Sequence, residues 1–132
     1  MTLPSILLAP TQVTDFSRFY QATVDRIEYP RTITELHQLV TTSKKPIALA
    51  GGKYSMGGQV WCQDGLVIDT AQLNAITAFD PEKKVVTVQA GIRWRDVQEF
   101  LLRHGLAVQV MQSYNDFSVG GFLAVNVHGR DP

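Results

Sequence analysis

The chain has 132 residues, about the size of one domain. Its 12 lysines and arginines balance 12 aspartates and glutamates, which argues against a protein that holds nucleic acid on a basic face and against a polybasic membrane anchor. Hydrophobic residues make up 45% of the sequence and charged residues 18%, so the chain can build a folded core and differs in composition from a disordered chain.

The cysteine content and the first residues bear on location. A single cysteine, Cys62, excludes an internal disulfide and any site that needs two cysteines, and it favours a reducing compartment. The first ten residues have a short apolar patch, but they lack a basic flank and contain Pro4 and Pro10, so they predict neither a signal peptide nor a membrane span. No His or carboxylate cluster has the spacing of a metal site. We therefore expect a cytoplasmic protein with no membrane span and no metal.

The start of the chain has only weak signals. Residues 1–22 are interpreted as an N-terminal arm, in which Asp15–Tyr20 are predicted to form one helical turn. The segment Ala22–Glu28 alternates loosely between apolar and polar residues, which predicts a short strand.

A helix is predicted next, over residues 32–43. Pro30 ends the preceding strand, and Thr32 and Glu35 have the spacing of a capping box, in which the two side chains satisfy free backbone N–H groups at the start of a helix. A short apolar run, residues 46–50, then predicts a strand that ends at a pair of glycines. Strand, helix and strand in this order predict a βαβ crossover with parallel strands.

Three more strands are predicted before the second helix. Gly65–Asp69 is a short buried strand, and residues 75–79 and 85–90 form an antiparallel hairpin. The segment Asp80–Lys84 between the last two carries turn-forming residues, which favours this pairing.

The second helix is predicted over residues 93–104. Its apolar residues recur at helical spacing, and Gly105 follows at the position where helices end in a left-handed residue. Residues 106–110 are predicted to form one more strand. The fold class is therefore α+β, with α/β-like character: a small mixed sheet with a βαβ unit and flanking helices.

Residues 50–58, the first glycine loop, contain four glycines among nine residues directly after a predicted strand. Such glycines let backbone amides approach a ligand closely, and a nest of N–H groups suits a phosphate or pyrophosphate. Ser55 adds a hydroxyl donor. A flexible surface loop is an equally good interpretation of this stretch on its own.

The first glycine loop does not match the two common nucleotide-binding motifs. A Walker-type loop needs a glycine at the position of Ile47 and a Ser or Thr at the position of Tyr54. A Rossmann fingerprint needs a second glycine where Lys53 stands.

Residues 118–121, the second glycine cluster, lie some sixty residues downstream and lead into a possible helix start at Phe122–Asn126. His128 and Gly129 follow. Two separate glycine-rich turns, each beside a regular element, are what an extended diphosphate cofactor requires.

Taken together, these features resemble the start of an FAD-binding domain of the vanillyl-alcohol oxidase and p-cresol methylhydroxylase (PCMH) type, over about residues 24–132. The Asn-x-His-Gly motif at residues 126–129 is most similar to that of the sugar and aldonolactone oxidases and the decaprenylphosphoryl-ribose oxidases. The resemblance rests on Pro30 before a helix, the first glycine loop, Val67–Asp69 with Leu73 and Asn74, Val86–Gly91, Ser118–Gly121 and Asn126–Gly129.

The resemblance implies how the chain divides. Residues 1–22 are the arm, residues 23–110 form the first lobe of the FAD-binding domain, and residues 111–132 begin a second lobe that is truncated. The resemblance places the substrate domain and its usual catalytic base beyond residue 132, so we predict no catalytic residue in this chain.

The resemblance also implies the cofactor and its contacts. FAD is expected to be bound non-covalently, because Tyr54 stands where many relatives carry a histidine that in some bonds to the flavin. The residues implied to contact FAD are Gly51, Gly52, Lys53, Tyr54, Ser55, Met56, Gly57, Ser118, Gly120, Gly121, Asn126, His128 and Gly129.

The function implied is the FAD-binding portion of a flavin-dependent oxidoreductase acting on the CH–OH group of a sugar, polyol or lactone, inactive as this fragment. Its partners would be a small-molecule alcohol substrate in the longer parent and, through faces that truncation uncovers, further copies of itself. The alternative is a non-enzymatic truncated α/β module or interaction domain that retains no cofactor. A phosphate-binding module of another kind is a third interpretation.

Overall fold

The computed structural model describes residues 10–127 and residue 129. Within these residues helices and strands form the α+β arrangement expected from the sequence, with the strands in three small sheets that keep parallel and antiparallel pairs apart. The elements are β1 (Thr11–Thr14), β2 (Gln21–Val24), β3 (Arg26–Glu28), α1 (Ile33–Thr42), β4 (Ile47–Ala50), β5 (Leu66–Asp69), a 3₁₀ turn (Thr70–Gln72), β6 (Ile76–Asp80), β7 (Val85–Val88), α2 (Trp94–Leu102) and α3 (Val119–Ala124).

The N-terminal residues form a hairpin, in which β1 pairs antiparallel with β2. The predicted helical turn at Asp15–Tyr20 is wrong, because these residues make the turn between the two strands. Asp15 is buried, and its carboxylate accepts hydrogen bonds from the Ser17 hydroxyl at 2.8 Å and the Tyr20 N–H at 3.4 Å. These local side-chain bonds offer the backbone an alternative to a helix.

The strand predicted over Ala22–Glu28 is divided at Asp25, where the chain passes from the hairpin into the next sheet. This sheet has three parallel strands in the order β3, β5, β4. The chain crosses from β3 to β4 through α1, and β5 lies between these two strands. The predicted βαβ unit is thereby confirmed.

The predicted cap of α1 is also present. The Thr32 hydroxyl accepts a hydrogen bond from the Glu35 N–H at 3.1 Å, and the Glu35 carboxylate accepts one from the Arg31 N–H at 2.7 Å. Thr32 thus caps the helix as predicted, whereas Glu35 binds the N–H of the residue before the N-cap and not that of the N-cap itself, as a full capping box would have it.

The predicted hairpin and second helix are confirmed. β6 pairs antiparallel with β7, and the Asp80 carboxylate accepts hydrogen bonds from two backbone amides of the turn. α2 is followed by Gly105 at φ +69°, and the Leu106 N–H donates to the Leu101 carbonyl at 3.0 Å.

The strand predicted over residues 106–110 is wrong, because the structure gives this segment no strand conformation. The Leu106 N–H is used to end the helix, and the side chains of Leu106 and Val108 pack on the core from an irregular loop. The apolar pattern of the segment thus reflects burial without strand pairing.

Two apolar cores stand out among the described residues. One lies under the parallel sheet and the other between the β6–β7 hairpin, α2 and α3. β5 runs through the centre, with all four of its residues buried, and ends at Asp69. The buried members are Val24, Ala48, Ala50, Val60 and Val67 in the first core and Ile92, Val97, Leu101 and Val119 in the second.

In the described part of the chain, no helix has both the length and the apolar character needed to cross a membrane.

Candidate functional site

A groove of about 400 Å³ lies between the first glycine loop and the segment that contains the second glycine cluster. β4 delivers the first glycine loop to one wall, and α3 with the residues before it forms the other. The predicted contact residues that line the groove are Gly51, Gly52, Lys53, Tyr54, Ser55, Ser118 and Gly121.

Ser118 joins the two walls. Its buried hydroxyl accepts one hydrogen bond from the Gly52 N–H at 3.0 Å and another from the Gly121 N–H at 3.3 Å. A single side chain thereby holds backbone from both glycine segments, which are more than sixty residues apart in the sequence.

Gly51 and Gly52 are glycines because the walls approach too closely for a side chain. A Cβ on Gly51 would lie 2.5 Å from the Ser118 hydroxyl oxygen, and one on Gly52 would lie 2.7 Å from a guanidinium nitrogen of Arg93. The absence of a Cβ lets the backbone reach its partners. The missing Cβ atoms therefore leave room for the Ser118 and Arg93 side chains to pack against the backbone of the first glycine loop.

Lys53 ties the first glycine loop to the end of β5. Its ammonium lies 2.7 Å from a carboxylate oxygen of Asp69, whose side chain is only 2% exposed. The other Asp69 oxygen accepts a hydrogen bond from the Ala71 N–H at 2.9 Å. Lys53 makes this ion pair from a positive φ of 62°, which is rare for a residue with a side chain.

Tyr54 lies at the centre of an aromatic cluster. Its ring centroid is 5.3 Å from that of Phe16, 5.4 Å from that of Tyr114 and 5.2 Å from that of Phe117. Its hydroxyl donates a hydrogen bond to the Asp116 carboxylate, which is the main cause of a raised pKa at Tyr54.

Asp116 is surrounded by cationic partners. A guanidinium nitrogen of Arg95 lies 2.7 Å from its carboxylate, and Arg93 donates a hydrogen bond of 2.5 Å to its backbone carbonyl. The Arg93 guanidinium also lies 5.9 Å from the centroid of the Tyr54 ring. The hydrogen bond from Tyr54, together with both arginine charges, lowers the pKa of Asp116, so this carboxyl is ionised at neutral pH.

The turn of the N-terminal hairpin is hydrogen-bonded to the first glycine loop. Phe16 N–H donates to the Ser55 carbonyl at 3.4 Å, and the Ser17 hydroxyl donates to the Met56 carbonyl at 3.2 Å. The Gly58 N–H donates to the Asp15 carboxylate at 3.3 Å. Residues 1–22 were interpreted only as an N-terminal arm, so this contact with the first glycine loop was not predicted.

The remaining predicted contact residues do not line the groove. Met56 is 63% exposed. Gly120 faces away, because its N–H donates to the Ala90 carbonyl at 2.8 Å and a Cβ on it would meet the Ala90 side chain at 2.7 Å. A Cβ on Gly129 would lie 2.2 Å from the Met111 carbonyl oxygen.

Gly57 packs against the side chain of Gln59, and Asn126 has a φ of 51° just after α3. Neither contributes to the groove, although the residues on either side of Asn126 do. His128 lies outside the described residues.

Apolar side chains that were not identified in the sequence form much of the lining. Leu49 is an example: Ala48 and Ala50 of β4 point into the core, so Leu49 points to the opposite face and is 59% exposed there. That alternation was a readable signal. The residues missed are Leu49, Gln59, Val60, Phe117, Phe122, Ala124, Val125 and Val127.

The groove thus combines apolar walls with a few convergent polar groups, an arrangement typical of sites for a small organic ligand or cofactor.

The chain is similar to known proteins in both sequence and fold. The sequence profile described as "FAD binding domain" matches residues 22–131. The chain is 28% identical over 120 residues to L-gulonolactone oxidase of Mus musculus. The matched region covers 89% of this chain and 27% of that protein. The chain is also 30% identical over 120 residues to the mitochondrial L-galactono-1,4-lactone dehydrogenase of Arabidopsis thaliana, covering 89% of this chain and 20% of that protein.

A solved structure of alkyldihydroxyacetonephosphate synthase has a similar fold, with a TM-score of 0.72 and 22% identity over 81% of this chain and 23% of that one. The chain therefore spans about a quarter or less of the length of these curated relatives and of this solved structure.

Proposed function

The chain belongs to the FAD binding domain family, and we propose that it is the FAD-binding portion of an oxidoreductase acting on the CH–OH group of a sugar, polyol or lactone. The observation that carries the proposal is the Ser118 hydroxyl, which binds the backbone of Gly52 and Gly121 and so forms one groove from two glycine segments. A lactone as the substrate class is suggested by the names of two relatives, L-gulonolactone oxidase and L-galactono-1,4-lactone dehydrogenase.

The lining of the groove fits a dinucleotide with a diphosphate. Backbone amides of the first glycine loop other than that of Gly52, which donates to Ser118, would hold the diphosphate together with the Ser55 hydroxyl. Leu49 and Phe122 would pack against a flat ring and exclude water from it. When bound, the flavin supplies hydride acceptance from a substrate C–H at its N5.

We propose that this chain binds the cofactor but does not turn over substrate alone. The matched region is only 27% of L-gulonolactone oxidase and 20% of L-galactono-1,4-lactone dehydrogenase. Among the described residues, no acid or base that lines the groove is without a structural partner, so none is identified as catalytic. In our proposal residues 23–110 form the first lobe and residues 111–132 begin the second.

The proposal is tested by adding FAD to the purified chain and following the quenching of flavin fluorescence and the thermal unfolding. We expect saturable binding of one FAD per chain and a higher melting temperature. ADP serves as the comparison ligand. Stabilisation by ADP but not by FAD would favour a phosphate-binding module of another kind, and no response to either would favour a module that retains no cofactor.

We propose that FAD is held without a covalent bond. Tyr54 stands at the position where the family resemblance expects a histidine, and its hydroxyl is already engaged with Asp116. Acid precipitation of the FAD-loaded chain should leave the yellow colour in the supernatant. Colour that stays with the precipitate after washing would contradict non-covalent attachment.

We also propose that the chain self-associates. Apolar side chains exposed on several elements support this, among them Leu102 at 69% and Leu123 at 67%. Light scattering after size-exclusion chromatography should give a mass that rises with concentration above 14.7 kDa. A constant monomer mass would contradict it.

A cytoplasmic location is proposed as well, because the single cysteine suits a reducing compartment. Fractionation of the source cells should recover the protein with cytoplasmic markers, and recovery with an organelle or with membranes would overturn this proposal.

A further inference from the structure

The two walls of the groove are joined at a second point, distinct from Ser118. Tyr54, from the first glycine loop, donates its hydroxyl proton to the carboxylate of Asp116, which lies two residues before Ser118. The two residues are 62 positions apart, so the bond links segments whose relative position nothing local in the chain determines.

The Tyr54 hydroxyl both donates and accepts a hydrogen bond. Because its proton goes to Asp116, the Tyr114 hydroxyl, 3.3 Å away, is placed to donate to the Tyr54 oxygen. The ring is held among Phe16 and Phe117 at centroid distances of 5.2 to 5.3 Å. The side chain is thus constrained both at its hydroxyl and around its ring.

Asp116 is held just as firmly, by the start of α2. The Trp94 N–H donates to the Phe117 carbonyl at 3.1 Å, and the Arg95 N–H donates to the Asn115 carbonyl at 2.8 Å. These backbone bonds fix the chain on both sides of Asp116, and the Arg95 side chain pairs with its carboxylate at 2.7 Å. The carboxylate is therefore a fixed acceptor to which the first glycine loop can attach.

We propose that the Tyr54–Asp116 hydrogen bond is a clasp that sets the width of the groove before the cofactor binds, which makes both residues positioning residues for FAD. A glycine-rich loop has many accessible conformations, and a ligand that binds it must otherwise bear the cost of ordering it. The clasp removes part of that cost in advance, which strengthens binding without any contact from the clasp to the diphosphate. This inference rests on the proposed FAD-binding function.

The test uses Tyr54→Phe, Asp116→Asn and the double variant of the full chain. Tyr54→Phe keeps the ring and its packing but removes the donor, and Asp116→Asn keeps the shape but removes the charge. Tyr54→Phe is expected to raise the Kd for FAD about tenfold, the loss typical of a hydrogen bond to a charged group, and Asp116→Asn about threefold, because its amide oxygen can still accept from Tyr54. The double variant is expected to bind no more weakly than Tyr54→Phe alone, because the hydrogen bond is already absent in that variant.

Matched controls carry the same chemical changes away from the groove. Tyr29→Phe and Asp64→Asn alter an exposed tyrosine and an exposed aspartate that do not line it. Both are expected to leave the Kd for FAD within about twofold of the unmodified chain, as surface substitutions usually do.

A second measurement separates positioning from general stabilisation. Hydrogen exchange of the cofactor-free chain should speed up at residues 51–58 in Tyr54→Phe and Asp116→Asn, while the amides of β5 stay as protected as before. All binding is measured below the melting temperature of the least stable variant.

The possible failures are distinguishable. If the unmodified chain does not bind FAD, the proposed function is what fails. If it binds and the single variants bind equally well, or if the two losses add in the double variant, or if exchange at residues 51–58 does not change, the clasp is overturned.

Discussion

The Ser118 hydroxyl accepts a hydrogen bond from the Gly52 N–H at 3.0 Å, across 66 positions of sequence. The same oxygen caps α3 by accepting from the Gly121 N–H at 3.3 Å. One hydroxyl therefore begins a helix and closes a tertiary contact at the same time, and its loss should affect both stability and the groove.

Ser118→Ala is expected to lower the free energy of unfolding by about 1–2 kcal/mol, since a helix cap and a buried backbone partner are lost together. The Kd for FAD should rise about tenfold. Urea unfolding and FAD titration measure the two effects. Ser43→Ala, at the exposed end of α1, is the control and should leave the Kd unchanged; an unchanged Kd in Ser118→Ala as well would contradict the role given to this hydroxyl.

Gly51→Ala should weaken FAD binding because the new Cβ would lie 2.5 Å from the Ser118 hydroxyl oxygen and push the walls apart. Overpacking of this kind costs about 1–3 kcal/mol. Gly105→Ala is the matched control: its Cβ meets no atom within 4 Å, but its φ of +69° disfavours a side chain. It is expected to cost about 1 kcal/mol of stability and to bind FAD normally. Equal Kd values for the two variants would argue against a shaped groove.

Lys53→Met should destabilise the chain by about 1–3 kcal/mol, because it leaves the buried Asp69 carboxylate without its cation. Adding Asp69→Asn removes that charge while an amide oxygen can still accept from the Ala71 N–H. The double variant is therefore expected to be more stable than Lys53→Met alone in urea unfolding. If it is less stable, the pair does not act through the buried charge.

Acid stability should depend on Asp116, whose pKa is lowered by the hydrogen bond from Tyr54 and by the charges of Arg93 and Arg95. A carboxylate with a lowered folded-state pKa contributes stability that is present above its unfolded pKa of about 3.9 and is lost as the pH falls through the folded value. Asp116→Asn should therefore lose less stability than the unmodified chain between about pH 5 and pH 2. Parallel acid slopes in a series of urea unfolding curves would contradict this.

Tyr54 should resist ionisation, because its hydrogen bond to Asp116 raises its pKa above the usual 10.0. A raised pKa favours the neutral phenol in the folded chain, so the stability it adds is present below the unfolded pKa and is lost as the pH rises toward the folded one. Ionisation of tyrosine is followed by absorbance at 295 nm. Near pH 10 the folded Tyr54→Phe variant should show the same rise in absorbance as the folded unmodified chain, because Tyr54 does not ionise there. The same substitution should remove a quarter of the change from the chain unfolded in guanidinium, which has four tyrosines.

The elements read correctly from the sequence are those whose signals lie within a few residues. Thr32 and Glu35 mark the start of α1 because each satisfies a backbone donor no more than four residues away. Asp80 marks the β6–β7 turn in the same way, and Gly105 marks the end of α2. In each case the free energy that selects the conformation is local, so the local sequence is enough.

The elements read incorrectly depend on distant partners. The β1–β2 hairpin was missed because its turn is formed by the buried Asp15, whose carboxylate also accepts from Gly58. The apolar run at residues 106–110 is used for packing on the core without strand pairing. An apolar pattern indicates that side chains are buried, but it does not say whether the backbone finds a neighbouring strand.

By itself the sequence determined that two glycine segments flank regular elements in an order that resembles an FAD-binding domain, and it placed α1, β5 and α2 near their true bounds. Only the tertiary structure decided which glycines face the groove. Gly120 and Gly121 are adjacent, yet one packs on Ala90 and the other joins Ser118 at the groove, because successive residues of a helix point in different directions and the packing of α3 decides which direction is inward. Tyr54, Asp116 and Ser118 meet for the same reason: contacts between segments some sixty residues apart follow from how the two cores pack, which no local pattern specifies.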